Sequence, residues 1–152
     1  DSFTGLQILK GKTKVEKKIK DYFVNKYYLP DIQINLTKQL VINWIFKSKK
    51  MNPKIKFFAY GACATGTVLS SMLGLDKFLS GYLDDNLDKN NYLSPNSFLP
   101  VLKMKSIKQV KNKVIIIIAW RFEKNILKKI KKFDKFCKVI TIKPSMNKIL
   151  SI

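Results

Sequence analysis

The run VIIIIAW, Val114 to Trp120, constrains the fold more than any other stretch of the chain. It is uninterrupted, apolar and mostly β-branched. A strand with no polar alternation is buried on both faces, the place it takes inside a parallel sheet. The run is far too short to cross a bilayer, which needs about 20 apolar residues. Parallel strands must be joined by crossovers, usually helices. The chain supplies them. Residues 55–60 predict a strand, Ala64 to Leu73 a helix with Gly74 past its end, and Leu79 to Leu83 a second strand. Glu123 to Phe133 predicts another helix, and Cys137 to Ile142 a last strand. Phe98 to Leu102 reads as an edge strand because Pro100 interrupts it, and Ser106 to Gln109 as a turn of helix. Strands alternating with helices from residue 55 onward predict an α/β fold, a Rossmann-like parallel sheet with flanking helices.

The first third differs. Thr13 to Tyr28 predicts a helix with Val15, Ile19, Tyr22 and Phe23 near one face. Leu29-Pro30 ends it. A second helix is expected from a cap at Asn35 or Thr37 to about Lys49. The expected organisation is a helical segment, 1–50, packing on a Rossmann-like domain, 51–152. The chain opens on Asp1, not Met, which suggests a piece of a longer protein.

Composition removes several functions. There is no histidine, so no Ser-His or Cys-His nucleophile can be assembled and the commonest metal ligand is missing. The two cysteines, Cys63 and Cys137, have no CxxC spacing and read as reduced thiols of a cytoplasmic protein. The formal charge is +20, which points to anionic partners. Yet Arg121 is the only arginine, and readers of nucleic acid rely on arginine for bidentate contacts. Lysine rich in company with Ile and Asn is what a biased coding sequence produces. No specific nucleic acid and no membrane is therefore expected as a partner. A field of this sign still attracts phosphate-bearing ligands.

The stretch FFAYGACATGTVLSS, from Phe57, is a strand, a turn of small residues and a helix start. Gly61 permits a tight turn, and Ala64 and Gly66 allow strand and helix to approach closely. The first helical N–H groups then face outward, where a phosphate gains from the dipole and the free donors. Thr65 and Thr67 can add hydroxyl contacts. Asp84 or Asp85 follows the second strand, where an acid receives ribose hydroxyls in nucleotide-binding folds. Against the pattern G-x-G-x-x-G, Cys63 replaces the second glycine and narrows the approach of a pyrophosphate. By spacing alone, ligand binding and plain helix–strand packing explain the turn equally well.

Four ordered stretches resemble one family. Residues 60–69, from Tyr60, resemble the YGAxAKGxTLL of the C-terminal domain of sugar C-methyltransferases, which methylate carbons of nucleotide-linked deoxysugars. Asp84-Asp85-Asn86-Leu87-Asp88-Lys89 resembles its DDNPxKQG. Residues 94–101 resemble its TPGTxIPI, and residues 119–126, from Ala119, its AWNFxxEI. The resemblance spans roughly residues 35–146. It implies a nucleotide-sugar-binding domain, with substrate contacts from Gly61, Ala62, Cys63, Ala64, Thr65, Gly66, Thr67, Asp84, Asp85, Asn86, Lys89, Trp120 and Arg121. It implies no catalytic residue, metal or cofactor in this chain. S-adenosylmethionine belongs to a catalytic domain, in cis or trans, that the chain lacks. The chain departs from the family at Thr65, where the family has lysine, and at Asn90, set against the family's glycine. Lys89 or Arg121 can supply the missing charge. Arg121 offers a bidentate grip on phosphate or, failing that, an ion pair with Glu123. Trp120 is core or a stacking platform. Adjacent Asp84 and Asp85 can also be turn formers. Two other readings remain: a standalone, non-catalytic nucleotide-sugar-binding or regulatory module, and a basic nucleic-acid-binding protein.

Overall fold

A computed structural model of the chain describes residues 29–95 and 97–144. The helix expected at Thr13 to Tyr28 lies outside the described residues. Five strands form one sheet: β1 (Lys56–Tyr60), β2 (Leu79–Leu83), β3 (Val101–Leu102), β4 (Lys113–Ile117) and β5 (Lys138–Thr141). Their order is β3-β2-β1-β4-β5, and every pairing is parallel. Among the described residues three helices flank the sheet: α1 (Leu29–Met51), α2 (Ala64–Met72) and α3 (Glu123–Phe133). The α/β, Rossmann-like expectation holds.

Alternation along each strand explains the layering. Phe57, Ala59, Val114, Ile116 and Ile140 point to one face, where Val41 and Ile45 of α1, Leu69 of α2 and Leu73 just past its end cover them. Phe58, Tyr60, Ile115, Ile117 and Val139 point to the other, against Ile126 and Ile130 of α3. Both sheet faces are covered, so β4 is apolar without a break.

Several boundaries differ from the sequence reading. The edge strand expected at Phe98 to Leu102 is only Val101–Leu102, and the helical turn expected at Ser106 to Gln109 falls at Met104–Ile107. Two further shifts have a visible cause. Helix α1 begins at Leu29, not at Asn35 or Thr37. Pro30 falls in its first turn, where the N–H that proline lacks has no helical partner to lose. Thr37, expected as a cap, is instead fully buried and donates its hydroxyl to the Pro144 carbonyl at 3.2 Å. Strand β4 ends at Ile117, three residues before Trp120. Its neighbour β1 ends at Tyr60, opposite Ile117, and the N–H groups of Ile118 and Ala119 both turn to the Tyr60 carbonyl, at 3.1 and 3.3 Å. No helix among the described residues is long and apolar enough to cross a membrane.

Candidate nucleotide-binding site at the carboxyl ends of β1 and β4

The chain leaves β1 to one side of the sheet and reaches β4 on the other. In such sheets the crevice at this reversal is where ligands bind. Two turns meet there. The first, Gly61 to Cys63, joins β1 to α2. The second, Ile118 to Phe122, joins β4 to α3 and contains a short 3-10 turn, Trp120–Phe122.

The small residues of the first turn are required by packing. Gly61 has φ +113°, and a Cβ there would lie 2.6 Å from the Ala119 Cβ. A Cβ on Gly66 would lie 2.3 Å from the Gly61 carbonyl oxygen. These glycines let the second turn and the start of α2 press on the end of β1. Cys63 caps α2 in extended backbone without a side-chain hydrogen bond. The Thr67 hydroxyl is buried and lies within 3.1 Å of both the Cys63 and Ala64 carbonyls, where it bonds to the first turn of the helix. Ala64 and Thr65 are exposed at the helix start.

A cavity of about 70 Å³ lies between the turns, lined by Cys63, Thr65 and Gly66 on one side and by Ile118 to Phe122 on the other. Beside it runs a larger cleft of about 520 Å³, walled mainly by Ile34 of α1, Val68, Leu69 and Met72 of α2, and Trp120. Thr65 and Trp120 line both. Trp120 is half-buried against the α1–α2 face of the core. The exposed Arg121 guanidinium lies 5.6 Å from the centre of the Trp120 ring, within cation–π range. Glu123 pairs with Lys143 at 3.4 Å, so the expected alternative partner of Arg121 is engaged elsewhere.

Asp84 and Asp85 leave β2 in opposite directions. Asp84 accepts from the Asn86 N–H at 2.9 Å and from the Lys89 ammonium at 3.1 Å. Lys89 also donates to the Ala62 carbonyl at 3.0 Å, and so ties the first turn to the end of β2. Asn86 accepts from the Asp88 N–H and caps the 3-10 turn Leu87–Lys89. Asp85 turns to the α3 side, where it accepts from the Tyr60 hydroxyl at 2.5 Å and pairs with Lys129. Burial pushes the Tyr60 hydroxyl well above its usual range, and the Asp85 carboxylate adds to this. Burial pushes the Asp85 carboxyl up, but hydrogen bonds from Lys129 and Tyr60 outweigh it and hold the group below its usual range. The left-handed residue of this loop is Asn91, φ 69°, while Asn90 is extended. Counting DDNPxKQG from Asp84 puts the glycine at Asn91 also, which corrects the assignment to Asn90; asparagine tolerates this backbone.

A family model of the C-methyltransferase C-terminal domain matches residues 10–143. The chain belongs to that family. No curated protein matches it. In this C-methyltransferase C-terminal domain, three of the four stretches that carry the likeness meet at one end of the sheet: the Tyr60 stretch supplies the first turn, the Ala119 stretch the second, and the Asp84 stretch the tie between the first turn and β2. Sequence reasoning missed three features. One is the Tyr60–Asp85–Lys129 network. A second is Asp76, which accepts hydroxyls from Ser70, Ser71 and Tyr82 at 2.6–2.7 Å and anchors the end of α2 to β2. The third is the apolar cleft, signalled by Val68 and Met72, four residues apart and half-exposed on α2.

Proposed function

We propose that this domain holds the nucleotide-diphosphate end of a sugar for carbon methylation by a domain that carries S-adenosylmethionine, on a longer chain or a separate subunit. The reading makes the protein the substrate-binding part of a methyltransferase of deoxysugar synthesis, working in the cytoplasm. The observation that carries it is the meeting of the two turns around one small cavity at the sheet's reversal. Thr65 and the start of α2 line one wall, and Arg121 the other. A helix start with no side-chain cap favours an anion there. A guanidinium at the opposite wall can take two phosphate oxygens. Family membership supports the same reading.

The methyl donor fits this chain poorly. Its ribose would call for an acid at the end of β2, and Asp84 already holds Lys89 and a backbone N–H. That supports placing the donor on the partner domain.

Calorimetric titration with thymidine diphosphate tests the reading. Binding is expected, and Arg121→Ala should weaken it roughly ten- to hundredfold, the value of about one charge-assisted hydrogen bond. The melting temperature should not move, since Arg121 is exposed. No heat from the wild type at millimolar ligand would overturn it.

A further inference from the structure

Resting on that reading, we infer that Lys89 determines what the domain accepts beside the first turn: a phosphate, and not the ribose diol. In nucleotide-binding folds of this order, an acid at the end of β2 accepts the ribose hydroxyls. Here that acid is withdrawn. Asp84 is only 13% exposed at its side chain, and its two oxygens bond to the Asn86 N–H and to Lys89. Asp85 is turned to the other face of the sheet, against Tyr60 and Lys129.

The group left at this position is the Lys89 ammonium, at the end of a side chain that is 38% exposed. An ammonium has three donors. One meets the Ala62 carbonyl at 3.0 Å and one the Asp84 carboxylate at 3.1 Å. The third has no partner among the described residues. It issues from a point fixed to the backbone of the first turn, so its position and the turn's are coupled. Capping by Asn86 and the bonds from the Asn90 amide to the Asn86 and Leu87 carbonyls, both 3.2 Å, hold the supporting 3-10 turn. A fixed cation with a spare donor selects an acceptor bearing negative charge. A neutral hydroxyl gains less from it. Lys89 thus flanks the turn from the β2 side as Arg121 does from the β4 side.

The test is a calorimetric series with uridine, uridine monophosphate, uridine diphosphate and 2′,3′-dideoxyuridine diphosphate. Against wild type, the dideoxy compound should bind within about twofold of uridine diphosphate, because no acid reads the hydroxyls. Lys89→Met should lower diphosphate affinity at least about tenfold while leaving uridine unchanged, and Lys89→Arg should restore most of the loss. A purely structural role for Lys89 would weaken all four ligands alike and would overturn the inference. So would a tenfold or larger loss with the dideoxy compound, which would mean that an acid reads the ribose. Either result would leave the proposed function standing. If Lys89→Met fails to fold, Lys89→Gln, which keeps a donor for the Ala62 carbonyl without the charge, takes its place, with the same loss expected for the diphosphate alone. If no diphosphate binds the wild type, the proposed function fails and this inference with it.

Discussion

The two turns at the carboxyl end of the sheet lie against each other and are built oppositely. In the first and the helix start that follows it, Gly61 and Gly66 are buried, and each would clash with backbone or with a neighbouring Cβ if it carried one. In the second, Arg121 and Phe122 project into solvent and meet no such limit. The first turn brings backbone close, and the second brings side chains. A phosphate site needs both kinds of contribution, and in the second turn Arg121 and Phe122 can change without disturbing the core. Residues that look like ligand contacts in the sequence therefore divide into those that shape the site and those free to touch what enters it.

The sharpest way to break this comparison is Gly66→Val. Its Cβ would stand 2.3 Å from a backbone oxygen, which cannot move aside as a flexible side chain would. The expected loss is more than about 3 kcal/mol, at the upper end for overpacking. Urea unfolding measures it. A variant as stable as the wild type would show that the first turn is not packing-limited. Loss of ligand binding by this variant would report unfolding and not phosphate contact.

A smaller effect sharpens the contact between the turns. Gly61→Ala should cost about 3 kcal/mol, part from the positive φ and part from the clash with Ala119. Ala119→Gly should then recover part of that cost in the double variant, because it removes the Cβ 2.6 Å away. The strain at φ +113° would remain, at about 1–2 kcal/mol. A double-mutant cycle should give a coupling of about 1 kcal/mol or more. Strict additivity would mean that the turns do not press on each other.

How much of this was legible in the sequence follows from the range of the interactions. Strand β2 and helix α3 have the bounds their residue patterns predict, because burial on a sheet or along one helical stripe repeats locally. Ile118 is as apolar as the residues before it, so nothing local marks the end of β4; the end of the neighbouring strand does. Pro30 signals a break when its position is unknown and fits easily once it stands in a first turn. The acids were the least legible. Asp84 and Asp85 are identical residues side by side, and their roles are set by Lys89 five residues on and by Lys129 on another element. No spacing rule assigns one to each.

The smallest expected effect concerns the link from the first turn's flank to the helix that follows the second. Tyr60 closes β1, Lys129 lies on α3, and Asp85 joins them. The pair is half-exposed, 58% for Lys129 and 53% for Asp85, so solvent screens it. Asp85→Asn should cost only about 0.5 kcal/mol near neutral pH. The sign of its pH dependence is definite. The folded carboxyl is held below its usual range, so its contribution is present above the unfolded value of about 4 and fades as pH falls through the folded value. Wild type and variant should therefore differ in urea midpoint above about pH 5 and draw together as pH falls through the folded value. A gap that stayed constant across that range would mean that the Asp85 charge contributes nothing. The link between the flanks would then be the Tyr60 hydrogen bond alone, and the two turns would be joined through the Gly61–Ala119 contact.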